Sequence, residues 1–312
     1  MNALTLNLNT SLLQEEYTEI NRELLKGYER QMDTSNATKK TYLNCINKFL
    51  NWIDENKITY CTYETLIDYK NDLRMKYKTK ALNTHLVAIK DFFKYLERKG
   101  FNNVAKGIKK ERTSEEFSKD CLTLEQVKQI LNSIDINTLN GARANALFRL
   151  LIGTGLRECE VVRADINDLT TKGNKNILYV QGKGETQKNK YVVIDNSVMQ
   201  ALQHYLALRN ATPGEPLFTS ESDRNNGGRL TTRTIQRIVK GLFKENGIIN
   251  ERITTHSTRH TAITLSIIAG ADVVKVQEMA RHKSLNTTMI YIHDLDRLNN
   301  SAESKLDKLI NG

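Results

Sequence analysis

The chain has 312 residues, 39% of them apolar, and a net charge of +10. That length suits two domains, each burying its own core, and the basic balance favours a polyanionic partner, with an anionic membrane surface as the competing reading. No apolar run approaches the roughly 18 residues of a membrane span. The amino terminus, with Glu15 and Glu16, lacks the basic-then-apolar order of a secretory signal. Cys45, Cys61, Cys121 and Cys159 form no CxxC pair, so neither a zinc site nor a disulfide framework is expected, and a reducing cytoplasm fits. With two prolines in the whole chain, long apolar periodicities predict a mainly helical protein.

Between Leu12 and Met32, Leu13, Tyr17, Ile20 and Leu24 recur at helical spacing. Residues 1–28 are assigned to one amphipathic helix that either packs on its own domain or meets a neighbouring protomer. Thr38 to Asp54 carries Tyr42, Ile46, Phe49, Leu50 and Ile53 on one face; a second helix follows from Thr62 with Leu66, Tyr69 and Leu73; a third runs from Leu82 to Lys99 and stops at Gly100. These make a small helical domain over residues 29–106. Its polar side carries Lys39, Lys40, Lys78, Lys80 and Lys90, which read either as a solvated face or as a track for a phosphate backbone. Residues 107–120, charged and poor in apolar side chains, are the linker candidate.

Thr123 and Gln126 form a capping box before Val127, Ile130 and Ile134, so a second domain, residues 121–293, opens on a helix. Ala142 to Leu151 is an apolar helix that Gly153 and Gly155 break, delivering Arg157 to the start of the next one. There a guanidinium and free backbone N–H groups can meet a phosphate, although Arg157 could simply pair with Glu160. Asn176 to Val180 and Lys190 to Ile194 predict a hairpin in a small antiparallel sheet, with Lys183 between two glycines on its loop. Ser197 to Leu208 is amphipathic, and the stretch from Asn210 to Leu230, with both prolines, reads as an exposed, mobile loop. From Thr231 to Asn246, Ile235, Ile238, Val239 and Leu242 form the buried face, and Arg233, Arg237 and Lys240 a basic stripe that either lies on DNA or faces solvent.

The last part of this domain concentrates residues suited to phosphate chemistry. His256 and Arg259, three apart, share a helix face and can reach one anionic group. Ala269 to Asp272 form a turn in which Gly270 supplies a left-handed residue and Asp272 caps the next helix; buried Val273, Val276 and Met279 then hold His282 at a helix end. A segment starting at Asn286 presents Tyr291 toward the His256 and Arg259 pair. Residues 294–312 form a tail whose Leu306, Leu309 and Ile310 make an apolar patch on a terminal helix.

Thr255, His256, Ser257, Thr258, Arg259 and His260, then His282, then Tyr291 nine positions later, resemble the C-terminal signature of the tyrosine recombinases, the phage integrase or Xer-like family. Thr154 to Val161, around Arg157, and Gly182, Lys183 and Gly184 are similar to further motifs of that family. Ala280 and Arg281 stand where the family usually has Leu and Gly, which leaves the local backbone path open. The resemblance implies a helical core-binding domain and a mixed α/β catalytic domain acting on double-stranded DNA with inverted-repeat core sites. Four protomers would act on two sites, exchanging strands through a Holliday junction, with the tail docking in trans. It also implies roles. Arg157 and Arg259 grip the scissile phosphate, Tyr291 attacks it, His256 accepts the phenol proton, His282 donates a hydrogen bond and Lys183 protonates the leaving 5′ oxygen. Glu160 orients the site. The 3′-phosphotyrosine bond conserves the energy of the broken link, so no metal or nucleotide cofactor is expected. Two other readings stay open: a type IB topoisomerase, separable by two-site recombination of a plasmid, and a DNA-binding accessory protein without turnover.

Overall fold

The structure, a computed structural model, describes residues 23–58, 61–112, 120–182, 184–299 and 302–311. It is mainly helical with one small antiparallel sheet, and the chain divides into two compact units, Met1–Glu116 and Phe117–Gly312.

In the first unit, helices α1 (residues 23–31), α2 (Asn36–Glu55), α3 (Tyr63–Lys76) and α4 (Thr79–Arg98) enclose a core built on Ile46, Phe49, Tyr69, Leu86 and Phe93. Ser35 caps α2, and Thr62 with Thr65 makes a capping box for α3, satisfying N–H groups that a helix start leaves unpaired. α4 begins before Leu82, because the polar first turn at Thr79 and Lys80 carries no apolar periodicity to betray it. Of the helix expected over residues 1–28, Leu13, Tyr17 and Ile20 lie outside the described residues. Its described end packs on its own unit: Tyr28 is buried and its Oη donates to Asp91 Oδ2 at 2.7 Å.

The described part of the expected linker is fastened to this unit. Lys70 Nζ donates to Lys109 O at 2.8 Å and pairs with Glu111 at 2.6 Å, and Lys90 Nζ donates to Ile108 O at 2.9 Å. Asn83 bonds both backbone groups of Glu111. Its composition is polar and charged, but here its backbone carbonyls accept from the ammonium groups of Lys70 and Lys90, whose stems are buried or half-buried.

In the second unit, α5 (Leu124–Ser133) opens with the expected box: Thr123 N to Gln126 Oε1 at 2.9 Å and Gln126 N to Thr123 Oγ1 at 3.2 Å. α6 (Leu139–Thr154) is the central helix, with Ala146, Leu147, Phe148, Leu150 and Leu151 fully buried. Gly153 continues this helix and Gly155 alone ends it, at φ +58°. Then come α7 (Glu158–Arg163) and strands β1 (Leu169–Lys172), β2 (Lys175–Val180) and β3 (Lys190–Ile194), in spatial order β1-β2-β3. β1 was not expected, because Leu-Thr-Thr-Lys shows no apolar alternation; a two-residue turn at Gly173 and Asn174 pairs it with β2. α8 (Asn196–Leu208) packs on α6. The loop from Asn210 to Leu230 is not an exposed span. Leu217, Phe218 and Leu230 enter the core, and Arg209 and Arg229 pair with Glu215 and Asp165. α9 (Thr232–Glu245), α10 (Ser257–Ile268), α11 (Val273–Ala280) and α12 (Asn286–Asn299) complete the unit, and α13 (Ala302–Asn311) leaves Leu306, Leu309 and Ile310 exposed. The α10–α11 turn is as expected, with Gly270 at φ +85° and Asp272 accepting from Val274 N and Lys275 N.

Candidate active site

Arg157 sits at the N-cap of α7, two residues past the left-handed Gly155. Its backbone N–H donates to Glu160 Oε2 at 2.8 Å and its Nη1 to Glu160 Oε1 at 2.9 Å. The pairing with Glu160 is therefore real, and Arg157 still lines a cleft together with Thr254, Thr255, His256, Gln236 and Lys240. Burial alone would raise the fully buried Glu160 carboxyl, but Arg281 and Arg157 outweigh it and hold the group below the usual carboxylate range.

Arg259 lies in the first turn of α10, buried, with Nη1 donating to Gly155 O at 2.6 Å and Nη2 to Ala280 O. Those carbonyls close α6 and α11, and helix C-termini favour a cation. Burial first, then Arg157 and Arg281, push this guanidinium down to about 10, so it stays charged near neutrality.

His256 and Arg259 do not share a face. His256 is the exposed N-cap of α10, one step outside the helix proper, whereas Arg259 points inward. The ring that does stand by His256 is His260, edge-on with centroids 5.0 Å apart. His260 Nδ1 lies 2.5 Å from Tyr291 Oη, so His260 touches the tyrosine. His260 stands in the motif without an assigned role, and its i, i+4 spacing from His256 is the sequence signal for this contact.

Tyr291 projects from α12 and is only 6% exposed, packed among Ile263, Val276 and Ala280. Burial raises its phenol to about 12, against the opposing pull of Arg259. His282 follows the C-cap of α11; its Nδ1 is 2.8 Å from Thr288 Oγ1, and its ring lies parallel to Tyr291 at 6.5 Å. Burial, then Arg259, Arg157 and Arg281, lower His282 to about 4, which keeps the ring neutral. Arg157, Arg259, His282 and Tyr291 are thus brought together from four elements, with His256 beside Arg157 on the cleft wall.

Lys183 lies outside the described residues. Its loop is flanked by Gly182, whose carbonyl accepts from Arg163 at 3.2 Å, and by Gly184 at φ +80°. Arg233, Arg237 and Lys240 are exposed along α9, continuing from the Arg157 cleft. Lys40, Lys78 and Lys80 are exposed and Lys39 is half-buried, while Lys90 turns inward to Ile108. Among the described residues no group of His, Cys, Asp or Glu is set to hold a metal ion, and no helix is long and apolar enough to cross a membrane.

A cleft-lining arginine at a helix start, a buried arginine and a buried tyrosine on a later helix all stand in the unit that carries the three-stranded sheet. Residues 120–297 match the model of the phage integrase family, and residues 22–100 match the phage integrase N-terminal SAM-like domain. The chain is 30% identical over 276 residues to the tyrosine recombinase XerC of Myxococcus xanthus, covering 84% of this chain and 89% of that protein. It is 28% identical over 290 residues to XerC of Thermodesulfovibrio yellowstonii, covering 88% and 91%. A crystal structure of the XerH site-specific recombinase bound to a palindromic difH substrate, a post-cleavage complex, matches with a TM-score of 0.72 at 22% identity, over 93% of this chain and 87% of that one. The chain belongs to the phage integrase family and is a tyrosine recombinase.

Proposed function

We propose that Tyr291 cuts DNA at specific sites through a 3′-phosphotyrosine bond and that the same site rejoins it to a second strand. The observation that carries this is that Arg259 and His282, from sequence-distant elements, stand against Tyr291, with Arg157 close enough to both to act on their charge. A phosphodiester resists attack because its charge repels nucleophiles and its alkoxide leaves poorly. Arg157 and Arg259 supply permanent charge for the two non-bridging oxygens. Neutral His282 donates a hydrogen bond to the same phosphate.

Tyr291 Oη then bonds to phosphorus as the bond to the 5′ oxygen breaks. The phenol proton passes to His256, and the departing 5′ oxygen takes one from Lys183. In the second step a 5′ hydroxyl from the partner strand attacks phosphorus and releases Tyr291. Burial holds the phenol protonated where it rests, so a base must take its proton when it attacks. The bond to His260 holds Tyr291 at rest, outside the Arg157 and His256 cleft. Attack there requires the ring to exchange His260 for the phosphate.

The DNA-contact residues of this reading are Lys39, Lys40, Lys78 and Lys80 on a core-binding domain at 29–106, with Arg233, Arg237 and Lys240 on a catalytic domain at 121–293. The exposure of the α9 stripe and its continuity with the cleft support it. Double-stranded DNA is the partner; the substrate form we propose is an inverted repeat, in keeping with the palindromic substrate of the XerH complex, worked by a tetramer in the cytoplasm. The exposed apolar residues of α13 suit docking on an adjacent protomer.

A duplex nicked just past the cut site, so that the short fragment bearing the freed 5′ hydroxyl diffuses away, is expected to trap a covalent adduct with the wild-type chain. Tyr291→Phe should abolish the adduct while leaving duplex binding. An adduct persisting in that variant rules out Tyr291 as nucleophile, and binding without any wild-type adduct favours the accessory-protein reading.

A further inference from the structure

Arg281 occupies a position that neither its backbone nor its charge favours. It is the C-cap of α11 at φ +55°, in the left-handed region that suits glycine, and its side chain is only 6% exposed. The other two non-glycine residues with positive φ among the described ones, Lys57 and Asn210, are exposed at loop turns. Burial opposes the Arg281 charge, and its Nε is buried without a hydrogen-bond partner.

The guanidinium crosses to α7. Its Nη2 lies 2.8 Å from Glu160 Oε2 and 3.4 Å from Gly155 O, while Nη1 donates to Met279 O at 2.6 Å. Glu160 Oε2 also accepts from the Arg157 backbone N–H, and Oε1 from Arg157 Nη1 at 2.9 Å. One buried carboxylate thus lies between two guanidiniums, with that of Arg259 bonded to the same Gly155 carbonyl. Three guanidiniums and one carboxylate leave a net charge of about +2 in a small buried volume, where the field of each charge is poorly screened. Without Arg281, Glu160 and Arg157 would form a neutral pair, and one cation of the cleft would face the phosphate already compensated.

We propose that Arg281 is a positioning residue for strand cleavage. Glu160 stays bonded to Arg157 through Oε1, but by pairing with Oε2 Arg281 shares that carboxylate's charge, so Arg157 is only partly compensated and keeps net positive charge toward the scissile phosphate. This rests on the assignment of Arg157 and Tyr291 above. A merely structural Arg281, tying α11 to α7, would act by its length and hydrogen bonds whatever the charge on Glu160.

The test is single-turnover adduct formation on the nicked duplex, with duplex affinity and melting temperature measured alongside. Arg281→Gly suits φ +55° and removes only the side chain; it is expected to slow cleavage at least about tenfold while affinity changes less than about threefold. Arg281→Lys, which keeps the charge, should recover part of the rate, and Arg281→Gln, which keeps hydrogen bonding without charge, should not. In a Glu160→Gln background, Arg281→Gly should slow cleavage by less than about threefold, because no carboxylate remains to be restrained.

Wild-type cleavage in Arg281→Gly, a lysine variant no faster than the glutamine one, or an equal loss in both backgrounds each overturns the proposal. If Arg281→Gly fails to fold, the lysine and glutamine comparison decides alone. Absence of a wild-type adduct sinks the nucleophile assignment and this inference with it, whereas a wild-type adduct insensitive to Arg281 sinks only the inference.

Discussion

Both arms of the Arg259 guanidinium end on backbone carbonyls, so its charge is fixed where α6 and α11 finish. The neutrality of His282 follows from the same crowding. Burial of its ring is reinforced by Arg259 from α10, Arg157 from the α7 N-cap and the adjacent Arg281, with Thr288 from α12 bonded to its Nδ1. This has a sign that can be tested. The folded ring titrates at about 4 and the unfolded one near 6.5. Between those values the unfolded chain binds a proton that the folded chain does not, so stability falls as pH drops through that window. Urea midpoints measured from pH 7 to pH 4.5 should show wild type losing roughly 1 to 2 kcal/mol more than His282→Gln, allowing for the screening of a half-buried ring. Parallel curves for the two proteins would show that the ring titrates alike in the folded and unfolded states, against the lowering described above. Residue identity was legible in the sequence for Arg157, Arg259, His282 and Tyr291. The partner of Tyr291 was not, because His256 at an N-cap and His260 inside the helix differ in direction in a way that spacing alone does not reveal.

The elements meet at Gly155. Its φ of +58° ends α6, its carbonyl receives Arg259 and Arg281, and Arg157 follows two residues later. A Cβ there would meet Ala262 Cβ at 3.6 Å and Met279 Cε at 3.8 Å, ordinary contacts. The penalty of Gly155→Ala is therefore conformational, about 1 kcal/mol, read as a lowered urea midpoint with unchanged slope. An unchanged midpoint would mean the helix end shifts to suit alanine. Apolar periodicity and caps made α2, α3, α5, α9 and α11 readable, since those signals are local. β1 and the 210–230 loop were not, because four mostly exposed residues pair only through β2, and Leu217 and Phe218 are buried by a core assembled from elsewhere. Arg281 was legible as a departure from the family pattern, but its reach to a carboxylate 121 residues away is a property of the fold.

At the scale of the whole molecule, the helical unit and the catalytic unit each have their own hydrophobic core, as the chain length suggested. The catalytic unit contributes everything in the proposed cleavage chemistry, and its tyrosine comes from α12, late in the chain. Trypsin would release Tyr291 within the stretch Ser284 to Arg297, which contains no other tyrosine. Mass spectrometry of the wild-type adduct trapped on a nicked duplex, after digestion by trypsin and nuclease, is the most direct test. That peptide is expected to carry a nucleotide joined through its 3′ phosphate to Tyr291. A nucleotide on any other peptide, or a linkage through a 5′ phosphate, would contradict it.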